Sequence, residues 1–212
     1  PKHFVANSGD GGRDSNPIHY TERFLEETHL VPFKACFQQG GSQSVMTAYN
    51  MLDGTPCTAN SWLNIEKLRK EWGFDGFTIA DADAVGIIHK LHHTIGNWAE
   101  AGATAVNNGL DVIFQTTYEE HEPFLEACRS GLITEEALNR AVRQVLKAKF
   151  RLGLFDHPYM NESEADRWNA CAEHRALTRE AACRSMVLLK NENGLLPLSK
   201  NLKRIALIGQ DA

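Results

Sequence analysis

The sequence has neither an excess of basic residues nor a long hydrophobic run. Its 212 residues include 22 Lys and Arg against 27 Asp and Glu, which gives a formal net charge of −5. Since binding to nucleic acid depends on a basic surface, this balance argues against a nucleic-acid partner. No apolar run reaches the roughly 18 residues that a membrane-spanning helix needs. We therefore expect a soluble protein without a membrane partner.

Cysteine is also scarce, and its spacing fits neither a disulfide framework nor a metal site. The five cysteines are odd in number and widely scattered, at Cys36, Cys57, Cys128, Cys171 and Cys183. This pattern predicts free, mostly buried thiols. The remaining composition is that of an ordinary globular protein, with 42% hydrophobic and 23% charged residues. Such a chain can bury a sizeable core.

The most informative segment, residues 72–85, places a carboxylate directly after a short apolar run. Its sequence is WGFDGFTIADADAV. Gly73 and Gly76 frame the run Phe77–Ile79, and this pattern is typical of a buried parallel strand. Asp81 then follows at the C-terminal end of that strand, where α/β enzymes keep their catalytic groups. Asp81 is therefore the first candidate for a catalytic residue.

Strands and helices alternate along the first three quarters of the chain. The sequence predicts strands at residues 2–6, 45–49, 77–79 and 110–114, with helices at 20–38 (interrupted at Pro32), 61–72, from Asn97 and from Thr134. Asn97 and Thr134 are expected to cap their helices, and Gly73 is expected to end the helix before it. Repeated strand and helix units predict an α/β fold, with a parallel sheet and helices outside it.

The pattern changes after the last of these helices. Residues 156–169 are polar and acidic, which predicts a linker between domains. A helix is expected next, carrying Ala176, Leu177, Ala181 and Leu188, and then an apolar strand at 205–208. The first residues look like the inside of a strand, so we expect an incomplete chain. A missing N-terminus would leave the cellular compartment open.

Four blocks of the sequence resemble glycoside hydrolase family 3 in their order and spacing. The nucleophile segment of that family has Gly-Phe-Asp-Gly, a few apolar residues and then Ser-Asp, and residues 73–81 follow this pattern except at Ala80. The other blocks are Lys2-His3-Phe4, MTAYN at 46–50 followed by DGTP at 53–56, and VLLKN at 187–191 followed by LLPL at 195–198. The resemblance therefore covers nearly the whole chain.

The resemblance implies an architecture and an activity. It implies the C-terminal half of a (β/α)8 TIM-like barrel over residues 1–155, a linker at 156–170 and the start of an α/β sandwich domain at 171–212. The implied activity is that of a retaining, exo-acting β-glycosidase, which hydrolyses terminal β-linked glucose or xylose through a covalent glycosyl-enzyme. No cofactor is expected. The partner is an oligosaccharide or β-glycoside substrate, and the oligomeric state stays open.

The resemblance also implies roles for individual residues. Asp81 matches the nucleophile of the family. Lys2 and His3 match a pair that hydrogen-bonds sugar hydroxyls in the −1 subsite, and Met46 and Tyr49 match residues that line this subsite. Taken without the resemblance, each has a simpler interpretation. Asp81 would be a helix cap, Lys2 and His3 ordinary strand residues, and Met46 and Tyr49 side chains that fill the core.

Two further motifs look like ligand sites but are interpreted otherwise. The glycine-rich residues 8–13 lack the Gly-Lys-Ser/Thr ending of a phosphate-binding loop. We expect a loop at the barrel mouth instead, with Arg13 reaching substrate hydroxyls. His89, His92 and His93 lack the zincin pattern, in which a glutamate follows the first of two histidines four residues apart. A solvated helix face or a loop near the mouth of the site is expected, and no metal is predicted.

Departures from the family pattern keep alternatives open. Ala80 stands where Ser usually precedes the nucleophile, and Ala82 stands where many members have Trp. The sequence VANS at residues 5–8 replaces the Pro-Gly-His-Gly of the β-N-acetylhexosaminidase branch, which leaves β-glucosidase and β-xylosidase activities. The alternatives are a non-catalytic carbohydrate-binding homologue and a metal-dependent barrel hydrolase that uses the histidines.

The acid/base group is expected outside this sequence. In the family it is usually a glutamate of the second domain, which would lie beyond residue 212. Asp83 is interpreted as a loop or cap carboxylate, because two carboxylates so close on one segment rarely straddle a substrate. If the chain alone turned over glycosides, Asp83, Asp10 and Glu119 would be the first carboxylates to test.

Overall fold

A computed structural model describes residues 1–9 and 14–210 of the chain. Arg13 and Asp10, both named from the sequence, lie outside the described residues. The chain divides into two compact units, Pro1–Pro158 and Tyr159–Ala212. None of the described helices is both long and apolar enough to cross a membrane.

Helices account for most of the regular structure of the described residues, and the strands are short. The strands are β1 (Ser44–Met46), β2 (Met51–Leu52), β3 (Thr55–Pro56) and β4 (Phe77–Ile79). The helices are α1 (22–38), α2 (Trp62–Glu71), α3 (Ala84–Lys90), α4 (Trp98–Asn107), α5 (Glu122–Arg129), α6 (Glu135–Arg151), α7 (Glu162–Trp168) and α8 (Ala172–Ser185). Short 3₁₀ turns lie at Cys57–Ala59, Glu119–His121 and Glu192–Gly194.

The parallel sheet of the first unit follows the order of the sequence. β1 pairs in parallel with β4. Single parallel bridges extend this pairing on both sides, from Phe4 to Thr47 and from Val112 to Ile79. Successive segments are thus neighbours in space, with helices in the connections, as parallel pairing of consecutive strands requires. The α/β fold predicted from the alternation is confirmed.

Three predicted strands of the first unit are shorter than expected. Residues 2–6 contribute only the bridge at Phe4, because the chain turns at Ala6, where φ is +56°. Residues 110–114 pair only at Val112. β1 ends at Met46. Thr47 follows it with a single bridge to Phe4 and donates its N–H to the carbonyl of Ile79, and the chain then leaves the sheet. The antiparallel hairpin of β2 and β3 was not predicted from the sequence.

α1 continues through Pro32, where the sequence predicted an interruption. Its hydrogen-bond pattern changes at Leu25–His29, a π-type turn between the α-helical segments Glu22–Phe24 and Leu30–Gln38. Pro32 lies in the first turn of the last segment, where the missing N–H of a proline is best tolerated. The hydrogen-bond pattern of α1 therefore changes just before Pro32, and the helix does not break there. α2 is π-type over its whole length.

The predicted helix ends are confirmed where side chains define them. The Asn97 side chain accepts a hydrogen bond from the backbone N–H of Glu100 at 2.9 Å. The Thr134 hydroxyl accepts one from the N–H of Ala137 at 3.2 Å. Gly73 follows the end of α2 with φ of +67°, a conformation that only glycine adopts without steric cost.

The turn between α2 and β4 is fixed from two sides. A Cβ atom on Gly76 would lie 2.1 Å from the backbone oxygen of Gln43, so only glycine fits this close approach. Asp75 pairs with Lys147 and, at 3.0 Å, with Arg151, both on α6. These basic partners, Lys147 foremost, lower the pKa of Asp75. The contacts tie α6 to the turn that begins β4.

The polar run 156–169, predicted as a linker between domains, contains α7; the Asn161 side chain accepts from the N–H of Ser163 at 3.2 Å and caps that helix. The linker stays a prediction, whereas two predicted elements after it differ from the structure. α8 ends at Ser185, before Leu188, because Met186 takes an extended backbone conformation. The predicted strand at 205–208 has no pairing partner in the described part of the chain. A strand needs a neighbour to satisfy its backbone groups.

All five cysteines are free, but only Cys57 is fully buried. Its burial raises the pKa of the thiol to about 12. Cys183 is exposed, and Cys36, Cys128 and Cys171 are partly exposed. The expectation of mostly buried thiols is therefore wrong. The cause is their position on or beside helices that keep one side towards solvent.

Packing around β4 decides where Asp81 points. Ala80 is fully buried in a cluster with Val85, Ile88 and Leu110. Consecutive side chains of an extended segment project to opposite sides. Asp81 therefore projects to the side of the sheet away from this cluster, at the C-terminal end of β4.

Candidate active site

The structure brings Asp81 and His3 together, although they are far apart in the sequence. The Nε2 atom of His3 lies 3.0 Å from Oδ2 of Asp81. Both side chains are partly accessible, with exposed fractions of 29% for His3 and 15% for Asp81. His3 precedes the bridge at Phe4, and Asp81 follows β4 by two residues. The parallel order of these segments therefore places both side chains at one edge of the sheet.

The second oxygen of Asp81 is held by the backbone of the same turn. The N–H of Ala82 donates to Oδ1 of Asp81 at 2.7 Å. One oxygen thus faces a backbone donor and the other faces the His3 ring. An ionised carboxylate only accepts hydrogen bonds, so both contacts suit a charged Asp81. Its side chain is oriented without the help of a substrate.

Tyr49 lies against the same turn. Its hydroxyl donates to the backbone carbonyl of Ala82 at 2.8 Å. Burial, and after it the nearby negative charges of Asp81, Asp14 and Asp83, together raise the pKa of Tyr49 to about 12. The phenol therefore stays protonated at any physiological pH and remains a hydrogen-bond donor. Asp14 was not predicted to lie near the site, and no local pattern in the sequence marks it.

The other predicted sugar-binding residues are placed less closely. Met46 is the last residue of β1, half-buried, and its carbonyl accepts from the N–H of Phe4 at 2.8 Å. Met46 also lies opposite Ile79 in the parallel ladder. Lys2 is exposed, and it has no ion-pair partner within residues 1–9 and 14–210. Arg13 is outside the described residues.

Asp83 is occupied by contacts of its own. Its Oδ1 atom accepts from the side-chain amide of Gln115 at 2.8 Å, and its Oδ2 atom pairs with Lys90. Both oxygens are thus engaged, which does not suit a general acid or base. Glu119 is exposed in the 3₁₀ turn before α5. Sequence reasoning missed Gln115, although a polar residue directly after a predicted strand was a usable signal.

The histidine cluster closes loops through single contacts to backbone oxygens. His89 Nδ1 lies 3.0 Å from the carbonyl of Ile95, and His92 Nε2 lies 3.2 Å from the carbonyl of Ser15. Burial lowers the pKa of His92, so its ring is mostly neutral near pH 7. In the described part of the chain, no three His, Cys, Asp or Glu side chains are grouped so that they could hold a metal ion.

Comparison with known proteins gives the family. The sequence model of the protein family described as the glycosyl hydrolase family 3 N-terminal domain matches residues 1–148. The chain belongs to glycoside hydrolase family 3. Among curated relatives, it is 38% identical to the periplasmic beta-glucosidase of Salmonella typhimurium over 98% of this chain and 28% of that protein. It is 34% identical to beta-D-xylosidase 1 of Arabidopsis thaliana over 100% of this chain and 28% of that protein.

Solved structures of the family match the fold. A β-glucosidase from Erythrobacter marinus superposes with a TM-score of 0.81 at 37% identity, covering 93% of this chain and 26% of that one. A β-glucosidase from Listeria innocua, solved with gluconolactone, gives a TM-score of 0.80 at 35% identity, covering 94% of this chain and 27% of that one. This family 3 chain therefore spans about a quarter of the length of these relatives.

Proposed function

We propose that the full-length protein containing this chain is a retaining, exo-acting β-glycosidase with Asp81 as its nucleophile. The observation that carries the proposal is the oriented Asp81 carboxylate, 3.0 Å from the His3 ring and bound at its other oxygen by the Ala82 N–H. Asp81 also follows β4 at the sheet edge where barrel enzymes keep their catalytic groups. The arrangement fits a nucleophile that must be charged and held still.

The proposed reaction has two displacements. In the first, the Asp81 carboxylate attacks the anomeric carbon, the glycosidic C–O bond breaks, and an acid protonates the leaving oxygen. In the second, water attacks the same carbon, gives up its proton to the conjugate base of that acid, and releases Asp81. The acid/base carboxyl is assigned to the part of the enzyme beyond residue 212. Asp83 is not the candidate, because both of its oxygens have partners.

The surrounding residues have separate roles in this proposal. His3 and Lys2 supply donors to sugar hydroxyls, and Arg13 supplies a further one. Met46 forms part of the wall beside the sugar. The phenol of Tyr49, kept neutral by its raised pKa, fixes the Ala82 carbonyl beside Asp81. Hydrogen bonds to the sugar that are stronger in the transition state than in the ground state raise kcat.

The relatives support the proposed substrate class. Those named above are a β-glucosidase and a β-xylosidase. The Listeria innocua enzyme has been solved with gluconolactone, and a variant of it with laminaribiose. We assign terminal β-linked glucose or xylose to this protein, without a cofactor. Its architecture in the proposal is half of a (β/α)8 barrel over residues 1–155, a linker at 156–170 and the start of a sandwich domain.

The non-catalytic alternative loses its main support. It depended on Ala80 and Ala82, which replace the usual Ser and Trp of the family. Ala80 is fully buried on the helix side of the sheet, and Ala82 contributes to the site through its backbone N–H and carbonyl. Neither substitution therefore removes a group that the proposed chemistry needs.

An azide-rescue experiment on the full-length protein tests the proposal. Asp81→Ala should lower kcat on an aryl β-glucoside or β-xyloside by several orders of magnitude, because the covalent route is lost. Azide should then attack the anomeric carbon in place of Asp81 and release an inverted α-glycosyl azide. Glu27→Ala, a change in the exposed Arg23–Glu27 pair, is the matched control and should keep full activity. A β-configured azide product would give Asp81 the acid/base role instead.

A further inference from the structure

The turn after β4 adopts an unusual backbone conformation at Asp83. Its φ is +61° and its ψ is 7°, in the left-handed region. Side chains other than glycine are uncommon there, and Asp and Asn are the residues that tolerate it best. Such a conformation persists only where the surrounding contacts hold it. The contacts of Asp83 therefore decide whether this turn keeps its shape.

The backbone N–H and both side-chain oxygens of Asp83 have partners, and these lie on two different elements. Its backbone N–H donates to the carbonyl of Phe114 at 2.9 Å. Its Oδ1 atom accepts from the side-chain amide of Gln115 at 2.8 Å, and its Oδ2 atom pairs with Lys90 on α3. Gln115 is only 6% exposed, so its amide is a fixed donor. The side chain thus joins the segment after Val112 to the helix that follows Asp81.

The chain leaves space for this carboxylate. A Cβ atom on Gly86 would lie 2.4 Å from Oδ1 of Asp83 and 2.7 Å from the Trp98 ring. Lys90 Nζ lies 5.0 Å from the centroid of the same ring. Gly86, Trp98 and Lys90 therefore form a recess on α3 and α4 that accepts the Asp83 side chain.

The turn held in this way carries the backbone groups of the candidate site. The carbonyl of Asp81 accepts from the N–H of Ala84 at 3.0 Å. The N–H of Ala82 holds the Asp81 carboxylate, and the carbonyl of Ala82 accepts from the Tyr49 hydroxyl. Because these are main-chain groups, their positions depend on the dihedral angles of residues 81–84.

We infer that Asp83 is a positioning residue for Asp81. Its carboxylate holds the turn at residues 81–84 against Gln115 and Lys90. This turn sets the position of the Ala82 N–H, which orients the nucleophile. The inference rests on the proposed role of Asp81. Asp83 acts through the backbone, so its loss should slow the chemical step more than it weakens substrate binding.

Kinetics of full-length variants test this inference. Displacing a catalytic group by about 1 Å can cost on the order of a hundredfold in rate. Asp83→Gly removes the carboxylate while allowing the left-handed backbone, and we expect kcat to fall by about ten- to a hundredfold with KM within about threefold. The rate of covalent trapping by a 2-fluoro glycoside should fall by the same factor. Asp83→Asn keeps an acceptor for Gln115 and should restore most of kcat.

Two controls separate positioning from a loss of stability. Asp75→Asn changes an aspartate with two basic partners on α6 and should leave kcat unchanged whatever its effect on Tm. If Asp83→Gly does not fold, Gln115→Leu removes the donor of the same hydrogen bond and should reproduce the fall in kcat with KM almost unchanged.

Three outcomes would overturn the inference. The first is an Asp83→Gly or Gln115→Leu variant with the kcat of the wild type. The second is an Asp75→Asn variant that loses as much kcat as Asp83→Gly when the two variants lose the same amount of Tm. If the wild type is active, either result refutes this inference and leaves the proposed function standing. The third is a wild-type protein without glycosidase activity, which would remove the proposed function and this inference with it.

Discussion

Replacing Asp111 by Ala should destabilise the parallel sheet strongly. The Asp111 carboxylate is fully buried and pairs with Arg69 at 2.5 Å and with Arg140 at 3.3 Å. It also accepts from the backbone N–H of Thr78 at 2.8 Å. Asp111 therefore joins the start of the Val112 segment to β4 and to two helices, α2 and α6.

The expected magnitude follows from the charges that the substitution leaves behind. Removing one partner of a buried ion pair costs about 3–5 kcal/mol, because the other charge stays buried without compensation. Burial already lowers the pKa of Arg69, and the charge of Asp111 acts against this shift. Arg69 thus depends on Asp111 for its stability in the folded state. A cost of about 3 kcal/mol corresponds to a roughly hundredfold larger unfolded fraction.

Amide hydrogen exchange in the full-length protein measures this effect locally. The N–H of Ala80 bonds to the carbonyl of Val112 at 2.9 Å, and its protection should fall by about a hundredfold in Asp111→Ala. Glu27→Ala is the control, because the Arg23–Glu27 pair is exposed, and it should cost about 0.3–0.5 kcal/mol at most. Protection of Ala80 that is equal in the two variants would refute the reasoning.

Three further predictions concern the site. Lys2→Ala and His3→Ala should each reduce kcat/KM by about ten- to a thousandfold, or about 1.4–4 kcal/mol, with unchanged circular dichroism; full activity in both would make them structural. Because the pKa of Tyr49 is raised from 10.0 to about 12, its neutral form contributes stability below pH 10 that is lost as the pH rises through about 12. The difference in tyrosinate absorbance between the wild type and Tyr49→Phe should therefore appear near pH 12. A difference that appears near pH 10 would contradict the burial of this phenol. Chelators should leave activity intact, whereas a loss restored by zinc would favour the metal-dependent alternative.

Local signals in the sequence were enough to predict the elements that position the site. Asp81 could be placed at the end of a strand because glycine turns and an apolar run mark β4. Asn97 and Thr134 could be predicted as caps because capping involves residues only two or three positions apart. The order of the strands followed from the alternation with helices. These features are decided by neighbours along the chain.

Features that depend on distant contacts could not be predicted. The strand at 110–114 shrank to one bridge, since pairing is decided by the neighbouring segment and not by its own apolar pattern. Nothing near Asp83 or Gln115 in the sequence indicates that their side chains meet. The charge of Asp14 beside Tyr49 likewise arises from the fold. The contact of His3 with Asp81 likewise joins residues far apart in the sequence and had no local signal.

Mapping a mechanism-based label most directly tests whether Asp81 is the nucleophile. A 2-deoxy-2-fluoro β-glycoside with a good leaving group should glycosylate the enzyme and accumulate as the glycosyl-enzyme. The fluorine slows both displacements, and the good leaving group keeps formation of the glycosyl-enzyme faster than its hydrolysis. Peptide mass spectrometry of the trapped full-length protein should then find the sugar on the peptide that contains Asp81. A label on any other carboxylate, or an active enzyme that accumulates no covalent intermediate, would contradict the proposed mechanism.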